Sequence, residues 1–247
     1  MCIRDRNGFY EFDVVLSIPG DALAGSTATF SMSAASNGDS SQTASQEFTA
    51  VVDQHYGVTL SVDSDSKENK PGEDVDFIFN ITNTGNGQDN YILSVSGPAV
   101  WNPVLSQNVS SINAVSVSQF TLTVSIPSDR DAGASSGDIV VTVVSSDGVS
   151  TANSTVSVMS SQVYDIGLDH VSGSDGAVSV TQETQILLKL NVTNNGNGID
   201  TLNLTMANAP SWASLGADTM QIGRGQTQSL TITLSPDCLL YTSPSPR

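Results

Sequence analysis

The sequence predicts an all-β protein made of tandem β-sandwich repeats. Three observations predict it: an uncharged polar texture, apolar residues spaced by two, and a chain that repeats itself. Charged residues are 13% of the 247, about half of the ~25% in ordinary domains. Ser, Thr, Asn and Gln carry the polarity instead. Long solvated helices need Glu, Lys and Arg, so an α-rich or coiled-coil protein is not expected. No sustained stripe at i, i+3, i+4 occurs.

The repeat is visible by alignment of the chain with itself. Phe12-Asp13-Val14-Val15-Leu16-Ser17-Ile18-Pro19 resembles Phe120-Thr121-Leu122-Thr123-Val124-Ser125-Ile126-Pro127, a displacement of 108 residues. The same displacement carries Ala24-Gly25 to Ala132-Gly133 and Tyr56-Gly57-Val58 to Tyr164-Asp165-Ile166. Asn80 to Asp89 matches Asn191 to Asp200, and Trp101 matches Trp212, with a displacement of 111. The expected organisation is the C-terminal half of one unit at 7–55, a whole unit at 56–163, and the N-terminal part of a third at 164–237.

The whole unit reads as short strands in succession. Val58, Leu60 and Val62 alternate with polar residues, then Val75, Phe77, Phe79 and Ile81, then Tyr91, Leu93 and Val95. Further strands are expected over 117–126, 138–144 and 154–158. Alternation places one face on a core and the other in water. Val, Ile and Thr suit a pleated, half-buried surface. About seven strands with closely spaced turn signals indicate a sandwich. Trp101 and Trp212 are expected in the cores.

The ends have a different texture. Met1-Cys2-Ile3-Arg4-Asp5-Arg6 can be encoded by a stretch whose reverse complement, in another frame, reads Cys-Leu-Leu-Tyr-Thr, as at 238–242. Segments 1–6 and 238–247 therefore resemble a translated transposase adaptor from sequencing-library preparation. They are set aside from fold reasoning, as tags are. Cys2 and Cys238, the only cysteines, fall within them. The remainder then offers no disulfide, thiolate site or cysteine nucleophile. The two natural termini are expected to be missing, so nothing follows about a leader or an anchor.

The order of motifs carries a family resemblance. A strand ending Asn-x-Thr-Asn-x-Gly-Asn-Gly is followed by a strand starting at Asp89 or Asp200. A Pro/Trp loop, a strand ending Ser-Ile-Pro, an Asp-Ala-Gly segment and a valine-rich strand come next. This resembles the Ig-like CARDB and NPCBM-associated repeats of bacterial and archaeal extracellular proteins. The resemblance implies Ig-like sandwiches serving as spacers or adhesion modules, outside the cell or on its surface. It defines no catalytic residues.

The chemistry-bearing residues point the same way. Net charge is −17, which leaves no basic surface for nucleic acid and disfavours direct contact with anionic membranes. The Gly-Asn-Gly segments at 85–87 and 196–198 lack the following helix and Lys-Ser/Thr of a phosphate cradle. Asn and Gly tolerate positive φ, so tight hairpin connections are expected there. His55 and His170 do not recur between copies and make no shared site.

Calcium is the one metal that the acidic loops suggest, with Asp63, Asp65, Asp129 and Asp131 as candidate ligands. Lys67 and Arg130 interrupt those loops, and solvated turns remain the default reading. Five sequons start at Asn80, Asn108, Asn153, Asn191 and Asn203, no more than chance supplies. Asn80 and Asn191 fall on the outward phase of equivalent strands and are the glycosylation candidates.

The expected function is a non-catalytic spacer or adhesion stalk, with neighbouring repeats and surface glycans or proteins as partners. The alternative is a carbohydrate- or ligand-binding module attached to an extracellular enzyme. That alternative wants an exposed aromatic platform, such as Trp101 beside Tyr91.

Overall fold

The computed structural model describes residue 11 and residues 13–170 and 178–236. Segments 1–6 and 238–247, with both cysteines, lie outside the described residues. The protein is all-β: the one helical feature among the described residues is a 3-10 turn at Ala99–Trp101.

A hairpin comes first. β1 (Thr27–Ala35) pairs antiparallel with β2 (Thr43–Val51), and Phe30 stacks on Phe48 with ring centroids 5.4 Å apart. Nine strands follow: β3 (Val58–Val62), β4 (Ser66–Asn69), β5 (Asp74–Asn83), β6 (Asp89–Ser96), β7 (Val104–Leu105), β8 (Val109–Ile112), β9 (Val117–Ser125), β10 (Ile139–Val144) and β11 (Thr151–Ser160). They form two sheets, ordered β3-β5-β9-β7 and β4-β11-β10-β6-β8. Only the β4–β11 pairing is parallel. The last group is β12 (Ile166–His170), β13 (Ile186–Asn194), β14 (Asp200–Asn203), β15 (Ala213–Leu215), β16 (Thr219–Ile222) and β17 (Thr227–Leu234). Its sheets run β12-β13-β17-β15 and β14-β16.

The period-two pattern decides the inner faces. Phe77, Phe79 and Ile81 of β5 and Phe120, Leu122 and Val124 of β9 point from one sheet at Tyr91, Ile139, Val141, Val143, Val156 and Val158 of the other. Phe79 lies opposite Phe120 in register, and the rings stack at 5.1 Å. Pro127 follows β9, where it cannot continue a ladder. Three strands escape the sequence pattern. β4, β7 and β8 have two to four residues each, too short to display a period.

One buried carboxylate ties the second sheet together. Asp89, at the start of β6, accepts hydrogen bonds from Ser145 Oγ (2.6 Å), Ser146 Oγ and the main-chain N–H of Asn90 and Ser146. Burial pushes its carboxyl up, but those four donors outweigh it and hold the group below the ordinary carboxylate range. Tyr91, whose phenol is driven up by burial and then by the Asp89 charge, donates to the carbonyl of Gly57 at 3.0 Å.

The two tryptophans part company. Trp101 is 3% exposed, whereas Trp212 is 39% exposed. The sequence expectation of two equivalent core positions is therefore corrected for Trp212. Among the described residues, no strands stand to β12–β17 as β10 and β11 stand to β3–β9. Accordingly the second core is small: Val192, Ile222 and Leu230 are buried, with Leu190, Leu202 and Leu215 half-buried around them.

Trp101→Ala should cost about 3–5 kcal/mol in denaturant unfolding of the middle unit. Trp212→Ala should cost well under half of that, because its ring already faces water.

A second prediction concerns the turn before β9. Val115 adopts φ 53°, a left-handed conformation that β-branched residues disfavour. Its counterpart before β17 is Gly225, at φ 65°. Val115→Gly should stabilise the middle unit by about 0.5–1 kcal/mol, the relieved strain outweighing the added chain entropy. The shift is read as a raised thermal midpoint.

Candidate functional site

The Gly-Asn-Gly segments are not hairpin turns. β5 belongs to one sheet and β6 to the other, so residues 84–88 cross between sheets. The same holds for 195–199 between β13 and β14. Nor do these four glycines adopt positive φ. Their requirement is space. A Cβ on Gly85 would collide with the carbonyl oxygen of His55, and one on Gly196 with that of Val163. A Cβ on Gly87 would lie 3.0 Å from Ala24 Cβ, and one on Gly198 would lie 2.8 Å from Ala132 Cβ. Both pairs of contacts reach residues that precede the unit's own first strand. The motif is thus the place where one unit meets the one before it.

An asparagine shapes each crossing from within. The Asn83 amide donates to the carbonyls of Gly87 (2.8 Å) and Ile112 (3.0 Å), and its oxygen accepts from Gly85 N–H (2.8 Å). Asn194 repeats this with Gly198, Ile222 and Gly196 at 2.8, 2.9 and 2.9 Å. Both side chains are buried. A buried amide with all its bonds made is favourable, and one left unpaired is costly.

The next asparagine faces the preceding unit. Asn197 Nδ2 donates to the carbonyls of Arg130 (3.2 Å) and Ser161 (2.9 Å), and Oδ1 accepts from Val163 N–H (2.7 Å). Its own carbonyl accepts from Ala132 N–H (2.9 Å), and its N–H donates to the Val163 carbonyl (3.3 Å). Asn86 makes the same five bonds to Ala22, Asp53, His55 N–H, Ala24 and the His55 carbonyl, at 3.3, 3.0, 2.7, 2.9 and 3.2 Å. A glutamine in each connector adds a sixth. Gln54 Nε2 donates to the Gln88 carbonyl at 2.9 Å, and Gln162 Nε2 to that of Ile199 at 2.8 Å. Each clamp therefore gathers three segments: the loop before Ala24-Gly25 or Ala132-Gly133, the connector, and the crossing.

The junctions differ in one respect. Arg224 binds the Asp131 carboxylate across the second, whereas Leu23 stands at the equivalent place in the first. Otherwise the hydrogen bonds of the clamp run between side-chain amides and main-chain groups, and Asp53 and His55 enter the first clamp through their main chains. Its chemistry is adhesion between polypeptide segments.

The acidic candidates do not converge. Asp63 is engaged by Lys67 Nζ at 2.6 Å and by the N–H groups of Ser64 and Ile78, both 3.0 Å. The Lys67 hydrogen bond holds its carboxyl below the ordinary value against the opposing effect of burial. Asp65 receives Ser157 N–H on its main-chain carbonyl. Asp129 lies 3.9 Å from Arg130, and Asp131 pairs with Arg224. No group of three or more His, Cys, Asp or Glu among the described residues is placed to hold a metal ion. Asn80 and Asn191 lie mid-strand on the outward face, half-buried, and accept hydrogen bonds from Gln119 and Ser229 respectively. Trp101 and Tyr91 are both buried, so the aromatic platform they would form for a sugar does not exist.

Sequence reasoning found the Asn-Gly repeats but not their role. The signal lay in the connectors: Gln54 and Gln162 recur in step with Asn86 and Asn197. No family model matches the chain, and no curated protein matches it. Among solved structures it is similar to a Porphyromonas gingivalis W83 protein of unknown function, with 14% identity over 71% of this chain and 83% of that one, TM-score 0.33. It is also similar to the YadV chaperone, with 12% identity over 70% and 84%, TM-score 0.32. A third is surface layer protein SbsC, domains 1–6, with 16% identity over 85% and 26%, TM-score 0.31. No helix among the described residues is long and apolar enough to cross a membrane.

Asn197→Ala should leave the melting of the middle unit unchanged. It should speed amide hydrogen exchange at Ala132 and Val163, whose N–H groups lose their acceptor or its support. Asn194→Ala should instead destabilise the third unit by about 1–3 kcal/mol, through buried groups left unpaired.

Proposed function

We propose that this chain is a stretch of a non-catalytic spacer or adhesion stalk, carried outside the cell or on its surface. The observation that supports this reading is the identical amide clamp at two successive junctions. A chain selected only for independent sandwiches has no need to repeat six intersegment hydrogen bonds residue by residue. A chain that must hold one sandwich at a set attitude to the next does. The short connectors, 52–57 and 161–165, support it too, for neither has the Gly/Ser tract of a free linker.

Composition fits that role. An acidic surface with net charge −17 keeps units soluble and opposes their folding back on one another. The resemblance to CARDB and NPCBM-associated repeats leads to the same proposal. The ligand-binding alternative loses its first aromatic candidates, since Trp101 and Tyr91 serve the core.

Small-angle scattering of the chain at low concentration tests the stalk. The expected result is an elongated particle, with the double variant Asn86→Ala, Asn197→Ala broadening the distribution of distances. A compact, near-spherical particle would overturn the reading. Saturable binding of a soluble polysaccharide by the wild-type chain would favour the accessory-module alternative.

A further inference from the structure

Four Asn-Gly pairs fall among the described residues: Asn37-Gly38, Asn86-Gly87, Asn195-Gly196 and Asn197-Gly198. In such a pair the glycine nitrogen can attack the side chain of the asparagine before it, since no Cβ shields that nitrogen and the glycine backbone turns freely. The four pairs differ in how firmly the side-chain amide is held and in whether the glycine nitrogen is engaged. Asn37 is exposed in the β1–β2 loop, where Gly38 N–H donates to Ser36 Oγ at 3.3 Å. Asn195 is exposed too, but Gly196 N–H is tied to the buried Asn194 side chain at 2.9 Å. The clamp residues are the reverse. The Asn86 and Asn197 amides are held through both oxygen and nitrogen. No described residue accepts from the N–H of Gly87 or Gly198.

We propose that Asn86 and Asn197 are deamidation sites guarded by their own clamp: opening a junction exposes its asparagine to conversion, and conversion keeps that junction open. The step needs only water. The Gly198 nitrogen forms a bond to Asn197 Cγ and the Cγ–Nδ2 bond breaks. The proton of Gly198 N–H leaves with the amide nitrogen as ammonia. Water then opens the cyclic imide. Cleaving the new N–Cγ bond gives an aspartate. Cleaving the original peptide bond gives an isoaspartate, whose main chain runs through Cβ. Nothing is oxidised or reduced. In the closed clamp, bonds to Arg130, Ser161 and Val163 fix the Asn197 side chain. Bonds to Ala132 and Val163 fix its main chain. Rotation that brings Cγ onto the Gly198 nitrogen is therefore opposed from both sides.

Either product disables the clamp. Asn197 Nδ2 holds the carbonyls of Arg130 and Ser161 at 3.2 and 2.9 Å. A carboxylate has no N–H for them and turns a negative oxygen toward both. It also adds charge to a chain already at −17, next to the segment that carries Asp131. Isoaspartate further displaces the main-chain carbonyl that Ala132 N–H reaches. Carbonyls stripped of their donor and faced by a charge favour the open form. A junction once opened, by heat or by pull, is thereby marked.

Incubation of the full chain in mildly alkaline buffer, followed by peptide mapping with mass spectrometry, tests this. Asn37 is the internal reference, exposed whatever the junctions do. Asn197 should convert at least about tenfold more slowly than Asn37, as for a clamp open less than about a tenth of the time. Gln162→Ala removes the connector's bond to the Ile199 carbonyl without touching Asn197. It should speed conversion at Asn197 severalfold and leave Asn37 and Asn86 at their wild-type rates. Conversion of Asn197 as fast as Asn37 in the wild-type chain would overturn the proposal, as would an unchanged rate in Gln162→Ala. Hydrogen exchange reads the consequence. Asn197→Asp should exchange the Ala132 and Val163 amides at least as fast as Asn197→Ala does, with the melting of the middle unit unmoved. Wild-type protection in Asn197→Asp would equally overturn it, because conversion would then not hold the junction open.

Discussion

Buried side-chain amides hold main-chain groups that no sheet can reach, and the rest of this structure depends on them. A sandwich must pass its chain from one sheet to the other, and the crossing strands its carbonyls and N–H groups away from any ladder. Each such group buried without a partner costs about 1–3 kcal/mol. Asn83 and Asn194 answer that need inside a unit, since an amide both donates and accepts at one place. Asn86 and Asn197 extend the same solution outward to the previous unit. The glycines beside them are small because the connector's main chain passes against Gly85 and Gly196, and alanine and glutamine side chains of the preceding segments pack against Gly87 and Gly198.

A clamp of amide-to-backbone bonds suits a chain of this charge. Ion pairs at the surface are weak and screened by salt, and a strongly acidic protein has few cations to spend on them. Amide-to-backbone bonds are indifferent to ionic strength and pH. The exception, Arg224 with Asp131, makes the second junction the more salt-sensitive of the two. Lys67 is occupied locally, with Asp63, the Asp76 carbonyl and the face of Phe77 around its ammonium.

Hydrophobic burial is uneven along the chain, and the unevenness is informative. One sandwich has both of its sheets and a sealed interior. Before it, the described residues supply a two-stranded hairpin; after it, a four-stranded and a two-stranded sheet around three buried apolar residues. The same residue types are thus fully buried, half-buried or bare according to whether an opposing sheet is present. Trp101 and Trp212 express that difference at a single equivalent position.

The sequence by itself determined the all-β class, the repeat, and the inner faces of β5, β6, β9 and β10, since a period of two is a local property of the backbone. It also brought the Asn-Gly segments to notice. It did not determine their purpose, because a close approach between residues 24 and 87, or 132 and 198, leaves no local trace. The need for small residues reads the same whether it comes from a turn or from a neighbour. The short strands β4, β7 and β8 were invisible for want of length. The fates of Trp212 and of the four aspartates were decided by tertiary structure alone. Burial requires an opposing sheet and ligation requires convergence, and neither is encoded in spacing along the chain.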